Sequence, residues 1–275
     1  WEFIKNIKDL KTWDKYSRRF MNWQKQIKNE NKKNEEIPKI IHQIWLGNKK
    51  PPKNCLPWMQ SWQRFNPDWE YILWDEESIK HLDIKDFNIY SKNINPGYRS
   101  DILRYIILNK YGGLYVDTDF ECLKSIPSNI LKYKFIAGIM FGAKPCLGNS
   151  ILFSAPNYIL LNKILNKIKL TEYKDDINSI IKNSGPEIVT KEYFHLKDLI
   201  GKESLILPSN YFYPYPNFML NKQIDKYKEI EDISIGIHHW EMSWIKGSYL
   251  RRIIRKSVKL LMNWFKLLKL NHLFN

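Results

Sequence analysis

The sequence predicts an α/β domain, and three observations predict it. From Lys39 onward, short apolar runs of strand character alternate with helical patterns. One helix–strand pair is sharply drawn: a helical pattern over Tyr98–Lys110 stops at Gly112-Gly113, and an apolar run, Leu114-Tyr115-Val116, follows at once. That run ends in Asp117-Thr118-Asp119. Alternating α/β chains bind ligands at the carboxyl ends of their strands. Two acids placed there suit a hard divalent cation, since Mg²⁺ takes one or two carboxylates and finds its remaining oxygens in phosphates and water. The residues therefore point to a metal-dependent enzyme acting on a phosphorylated donor. An isolated Asp-x-Asp is a weak signal, and a solvated surface turn is the alternative; the preceding strand and Gly-Gly strengthen the metal reading.

In chain order, Lys39–Trp45 reads as a strand ending near Gly47, followed by a loop with Pro51, Pro52 and Pro57. Met59–Phe65 is a short helix, Trp69–Trp74 a strand and Glu76–Leu82 helical. Phe135–Phe141 and Asn149–Ser154 are strands, Tyr158–Ile168 and Pro186–Phe194 helices, and Ile233–Trp240 a late strand. No internal repeat and no glycine-rich phosphate loop of the Rossmann or Walker kind is present. The polar stretch Asn29–Glu36 and then Pro38 set a boundary, giving a basic helical segment over 1–36, a catalytic domain over 37–248 and a terminal helix over 249–275.

Composition narrows the class. The chain has 275 residues, 44% of them hydrophobic and 15% aromatic, enough for a substantial core. No uncharged apolar run reaches the ~18 residues of a membrane span. Residues 1–10 lack a signal-peptide core, and because the chain does not begin with Met an upstream segment is expected. Cys55, Cys122 and Cys146 have no metal-ligand spacing and read as ordinary thiols of a reducing compartment, the cytoplasm. Of the net charge of +15, residues 1–33 carry +6 and residues 249–275 carry +7 with no acid. A nucleic-acid enzyme would carry its basic residues around its groove. Charge confined to the flanks points instead to an anionic membrane surface. The flanks also have helical apolar faces: Phe3, Ile7, Leu10, Tyr16, Phe20, Trp23 and Ile27 in the first, and Leu250, Ile254, Val258, Leu261, Phe265 and Leu268 in the second. An apolar stripe with an all-basic polar side suits a helix lying in a membrane interface, the alternative being a helix packed on the domain with its charges solvated.

Further groups can join the acid pair. Asp101 and Arg104 lie three apart on one helical face, either as a surface ion pair or as a carboxylate and guanidinium facing sugar or phosphate oxygens. Trp45, at the end of the first strand, can stack on a base or sugar ring, though any of eleven tryptophans can equally be core. His238-His239-Trp240-Glu241-Met242-Ser243-Trp244 packs imidazoles, a hydroxyl and indoles into seven residues, and either imidazole suits a Mn²⁺ site.

Together the blocks Ile41–Gly47, Arg99–Tyr105, Tyr111–Asp119 and His238-x-Trp240-x-x-Ser243-Trp244 resemble the sugar-binding glycosyltransferases with an Asp-x-Asp motif, the family 32-like group of the yeast initiating α-1,6-mannosyltransferase and bacterial capsular polysaccharide enzymes. The resemblance runs over about residues 37–246 and leaves the flanks outside. It implies a GT-A, Rossmann-like nucleotide-sugar-binding sheet flanked by helices, Mn²⁺ or Mg²⁺, and transfer of a hexose from a nucleotide-sugar with retention. By it Trp45 stacks on the nucleobase, while Asp101 and Arg104 contact the donor sugar. Asp117 bridges ribose, sugar and metal, Asp119 ligates the metal, and His238 is the metal-side histidine, with His239 its alternative. Asn149 lines the sugar pocket, and Ser243 and Trp244 close over the diphosphate. Gly185-Pro186 and Thr190 resemble a further landmark of the family without an evident role. The expected donor is UDP-hexose, with GDP-mannose second. The expected acceptor is a glycan or lipid-linked oligosaccharide of polysaccharide or glycolipid assembly, reached from the cytoplasmic face of a bacterial membrane.

Two rivals remain. An Asp-nucleophile phosphohydrolase wants Thr or Val two residues after the second acid, where this chain has Glu121. A non-catalytic peripheral membrane or glycan-binding protein leaves the ordered blocks unexplained.

Overall fold

The computed structural model describes residues 36–47, 50–82, 84, 86–87, 89, 94–141, 145–215 and 225–241. Both flanking helices of the sequence reading, with Ser243 and Trp244, lie outside the described residues.

A six-stranded sheet forms the centre, in the order β2-β1-β3-β6-β5-β7. Its strands are β1 (Ile40–Ile44), β2 (Glu70–Trp74), β3 (Gly113–Val116), β5 (Phe135–Phe141), β6 (Pro145–Ser154) and β7 (Ser204–Leu207). β1 is parallel to β2 and to β3, β6 is antiparallel to both β3 and β5, and β5 is parallel to β7. Only β6 therefore runs against the rest. A second, two-stranded antiparallel sheet joins β4 (Phe120–Cys122) to β8 (Gly236–His238). The helices are α1 (Cys55–Phe65), α2 (Pro96–Tyr111), α3 (Ile159–Lys169), α4 (Ile177–Asn183), α5 (Pro186–Ile200) and α6 (Ser209–Phe212). Among the described residues no helix is long and apolar enough to cross a membrane.

The predicted α/β layering is present, and β3 shows why it forms. All four of its residues are buried, as expected of a strand covered on both faces. Side chains alternate across the sheet. Leu114 and Val116 join a core with Trp62, Phe120, Ile136 and Phe212, while Tyr115 joins the opposite core with Ile102, Leu103, Leu161 and Tyr193.

α2 is the longest described helix and starts on a built cap: the Asn95 side chain accepts from the Gly97 amide, and Pro96 occupies the first turn. Its exit is fixed by Gly112 and Gly113, both with positive φ. At Gly113 (φ +93°) a Cβ would lie 2.5 Å from the Ile40 carbonyl oxygen. The Gly-Gly pair thus turns the helix into β3 while letting β3 press against β1. Buried His42 secures the same junction: Trp74 Nε1 donates to its Nδ1 (3.1 Å) and its Nε2 donates to the Gly112 carbonyl (3.0 Å). Burial lowers the pKa of His42 to about 4, so the ring is neutral.

Several boundaries differ from the sequence reading. The helix expected over Glu76–Leu82 is a single 3₁₀ turn, Ser78–His81, opened by the Asp75 carboxylate accepting from the Glu77 and Ser78 amides. The late strand shrinks to Gly236–His238, and Trp240 (φ +58°) turns the chain away. β4, α4, β7 and α6 were not expected; β4 and α6 are three and four residues long, too short to show a period.

Gly113→Ala should destabilise the protein by at least ~2 kcal/mol, combining left-handed strain with a backbone clash. Chemical denaturation of the variant against wild type measures it.

Candidate metal and donor site

The site is assembled where β3 ends. Asp117 extends the β3–β6 ladder by one bond, its amide donating to the Ser150 carbonyl at 2.8 Å. Two residues beyond Tyr115, Asp117 lies on the same side of the sheet, and Tyr115 Oη donates to its Oδ1 at 2.6 Å. Gln43, buried in β1, donates to the Asp117 carbonyl at 3.1 Å while Tyr71 Oη donates to Gln43 Oε1. The chain then turns, with the Phe120 amide donating to the Asp117 carbonyl. Asp119 is thereby carried to the β4–β8 side. There Asp119 Oδ1 lies 3.1 Å from His238 Nε2 and Asp119 Oδ2 accepts from the Glu241 amide at 2.8 Å.

Ligand atoms of Asp117, Asp119 and His238 all lie within 4.8 Å of one another. The two acids thus share one site although the chain turns between them. The donor set of two carboxylates and one imidazole fits a divalent ion of the Mn²⁺ or Mg²⁺ type. His238 adds a second sign: its ring is buried between Phe120 (5.1 Å, stacked) and Trp240 (4.0 Å), and its Nδ1 is buried without a hydrogen-bond partner. The nitrogen that faces the acids is Nε2, and it is the one placed to ligate. His239 points away and is not in the cluster.

Arg104 sits behind Asp117 and is only 5% exposed. Its Nη2 lies 3.0 Å from Asp101 Oδ1 and 3.4 Å from Asp117 Oδ1. Nη1 donates to the Asn149 carbonyl at 2.7 Å, Nε donates to the Ser100 carbonyl, and the guanidinium lies 4.6 Å from the Tyr115 ring centroid. Asp101, 7% exposed, also accepts from Asn149 Nδ2 (2.8 Å) and Ser184 Oγ (2.9 Å), while Tyr105 Oη donates to the Ser184 carbonyl. Asp101, Arg104, Asp117 and Asn149 are thus one network whose contacts run largely to each other. Burial raises the Asp101 pKa to about 6 against the pull of Arg104. Burial also raises that of Asp117, again against Arg104. Burial opposes charge on Asp119 as well, yet His238 and the Glu241 amide hold its carboxyl below the ordinary value.

Trp45 is half-buried just past β1, its amide donating to the Trp74 carbonyl at 2.8 Å. Arg99 turns from the acids to a two-point pair with Glu76 (3.0 and 2.8 Å). Gly148 gains a reason, since a Cβ there would lie 2.1 Å from Tyr213 Oη, which also hydrogen-bonds Ser150. The landmark around Gly185 places Ser184 on Asp101, and Thr190 Oγ1 accepts from the Leu147 amide at 2.9 Å. Sequence reasoning missed Tyr115, Gln43 and Ser184; only their neighbourhood to the motifs signals them.

Fold and site together define an α/β domain with a DXD acid cluster at the end of a central strand. Residues 52–136, which carry Asp101, Arg104, Asp117 and Asp119, match the family described as glycosyltransferase sugar-binding region containing DXD motif. Inositol phosphoceramide mannosyltransferase 3 of Schizosaccharomyces pombe is 39% identical over 100 residues, covering 33% of this chain and 26% of its own length. Mannosyl phosphorylinositol ceramide synthase CSH1 of Saccharomyces cerevisiae is 26% identical over 191 residues, covering 64% and 48%. The chain thus spans between a quarter and a half of the length of these relatives. Among solved structures, the catalytic domain of alpha-toxin from Clostridium novyi is 10% identical with a TM-score of 0.49, covering 94% of this chain and 89% of its own. The PaToxG glycosyltransferase is 22% identical with a TM-score of 0.45, covering 61% and 72%.

Arg104→Ala leaves the buried Asp101 and the half-buried Asp117 without their cation. Breaking a buried pair in this way costs about 3–5 kcal/mol, read as a lowered denaturation midpoint.

Proposed function

We propose that this chain is a metal-dependent, retaining glycosyltransferase that moves a hexose from a nucleotide-sugar to a glycan or lipid-linked acceptor. The observation that carries the reading is the meeting of Asp117, Asp119 and His238 within 4.8 Å, the two acids inside the stretch that matches a DXD sugar-binding region and the histidine brought to them from far beyond it in sequence. These three residues would hold Mn²⁺ or Mg²⁺, which when bound offsets the charge that develops on the departing diphosphate. Arg104, bonded on several sides, fixes Asp117 rigidly, which is what a preorganised site requires. Asp101 and Asn149, joined to Arg104, would meet the hydroxyls of the donor sugar. Trp45 stacks on the base, and Ser243 and Trp244 close over the diphosphate. In the reaction the bond from the anomeric carbon to the diphosphate oxygen breaks and one to the acceptor oxygen forms on the same face. The leaving diphosphate takes the acceptor's proton, so no second carboxylate is needed as acid.

UDP-hexose is the donor proposed. A mannose donor, GDP-mannose, is the second reading, favoured by relatives named as mannosyltransferases of inositol phosphoceramide. Those names also favour a lipid acceptor over a soluble one. A lipid acceptor agrees with the basic flanks, through which we propose peripheral attachment to an anionic membrane at its cytoplasmic face. Capsular polysaccharide assembly in a bacterium is one setting for such chemistry.

Incubation with a panel of nucleotide-sugars and Mn²⁺ should release nucleotide from one of them. Asp119→Ala should abolish the release, and retention of wild-type turnover in that variant would sink the metal reading. Deleting 249–275 should remove sedimentation with anionic vesicles while leaving donor hydrolysis in solution; unchanged vesicle binding would refute the attachment.

A further inference from the structure

His239 does not enter the acid cluster, yet it is among the most contacted side chains near it. Its ring stacks on Trp58 of α1, with centroids 3.7 Å apart and planes 9° apart. Its Nε2 lies 2.9 Å from Glu121 Oε2, and its Nδ1 meets Lys226 Nζ. Glu121 also accepts from Tyr227 Oη at 3.0 Å, and Lys226 lies over the Trp58 ring. The side chain of His239 is fully buried. Given the ammonium at Nδ1, the donor is Nε2, toward Glu121.

The contacts close a ring of three elements. α1 is fastened to β4 by Trp62 Nε1 donating to the Phe120 carbonyl (2.8 Å) and by the Cys122 amide donating to Ser61 Oγ (2.8 Å). β4 is fastened to β8 by the ladder from Phe120↔His238 to Cys122↔Gly236. The ladder is only three pairs long and ends at His238, the residue that must reach Asp119. A strand this short is weakly determined by its own bonds. His239, one residue further, faces the other way and ties the end of β8 both to β4 through Glu121 and to α1 through Trp58.

We infer that Glu121 and His239, with Trp58 as the stacking surface, are positioning residues that lock the end of β8 so that His238 stays on Asp119. This deepens the metal reading above and rests on it. Partners that orient a ligand are typically worth 10–100-fold in metal affinity. Because this set acts through the backbone of the adjacent residue, the lower end, about 10-fold, is expected.

The test is Mn²⁺ titration of the full chain by calorimetry, in the absence of donor, for wild type and variants whose fold is checked by circular dichroism. Glu121→Ala and His239→Ala should each weaken Mn²⁺ binding about 10-fold, whereas Glu121→Gln, which keeps the acceptor for His239, should bind as wild type does. Leu161→Ala, in the opposite core, should lower the melting temperature without changing Mn²⁺ affinity, which separates positioning from general loosening. Wild-type affinity in folded Glu121→Ala, or weakening in Leu161→Ala equal to that in Glu121→Ala, overturns the positioning role. Failure of wild type to bind Mn²⁺ overturns the metal reading itself.

Discussion

A buried guanidinium holds this site together. Arg104 stands between Asp101 and Asp117 with almost no access to solvent, and it supports the charge of the buried Asp101 and of the half-buried Asp117. Burying an ion pair is costly, and a pair is retained where its loss would leave a bare charge inside the fold. Here the guanidinium has several hydrogen-bond partners, so its position is over-determined by Ser100, Asn149 and the Tyr115 face. Asp117 inherits that rigidity. The last acid of the main sheet is therefore set by α2 and β6 as much as by its own strand.

The two acids differ in what restrains them. Asp117 belongs to the main sheet and to the α2 side, where Tyr115, Gln43 and Arg104 grip both its carboxylate and its backbone. Asp119 belongs to the small sheet and is gripped by His238 and the Glu241 amide. A ligand between them joins two packing units through side chains that each unit places independently. The opposite directions of their pKa displacement follow from this division. Asp117, lying deep beside a like charge, is pushed toward neutrality, while Asp119, beside an imidazole and an amide, keeps its charge.

Much of this was legible in the chain. The helix, the Gly-Gly stop, the buried β3 and the acids at its end follow from periodicity, glycine conformational freedom and the alternation rule, each a local property. Which histidine joins the acids was not legible, because strand direction at 238 and 239 is set by a three-residue ladder too short to leave a pattern. Ser184 illustrates the same limit, since its hydroxyl matters only because α4 ends beside Asp101, a contact spanning 83 positions in sequence. The Glu76 segment shows another limit: Asp75 caps its first amides as at a helix start, yet only one turn follows, so a start signal does not fix a helix's length.

The amide of Glu241 donates to Asp119, so the backbone at that point is moored to the acid itself. Asp119 and His238 are thus restrained from one strand end, and a shift of that short segment would reach the acid through the main chain and the imidazole together.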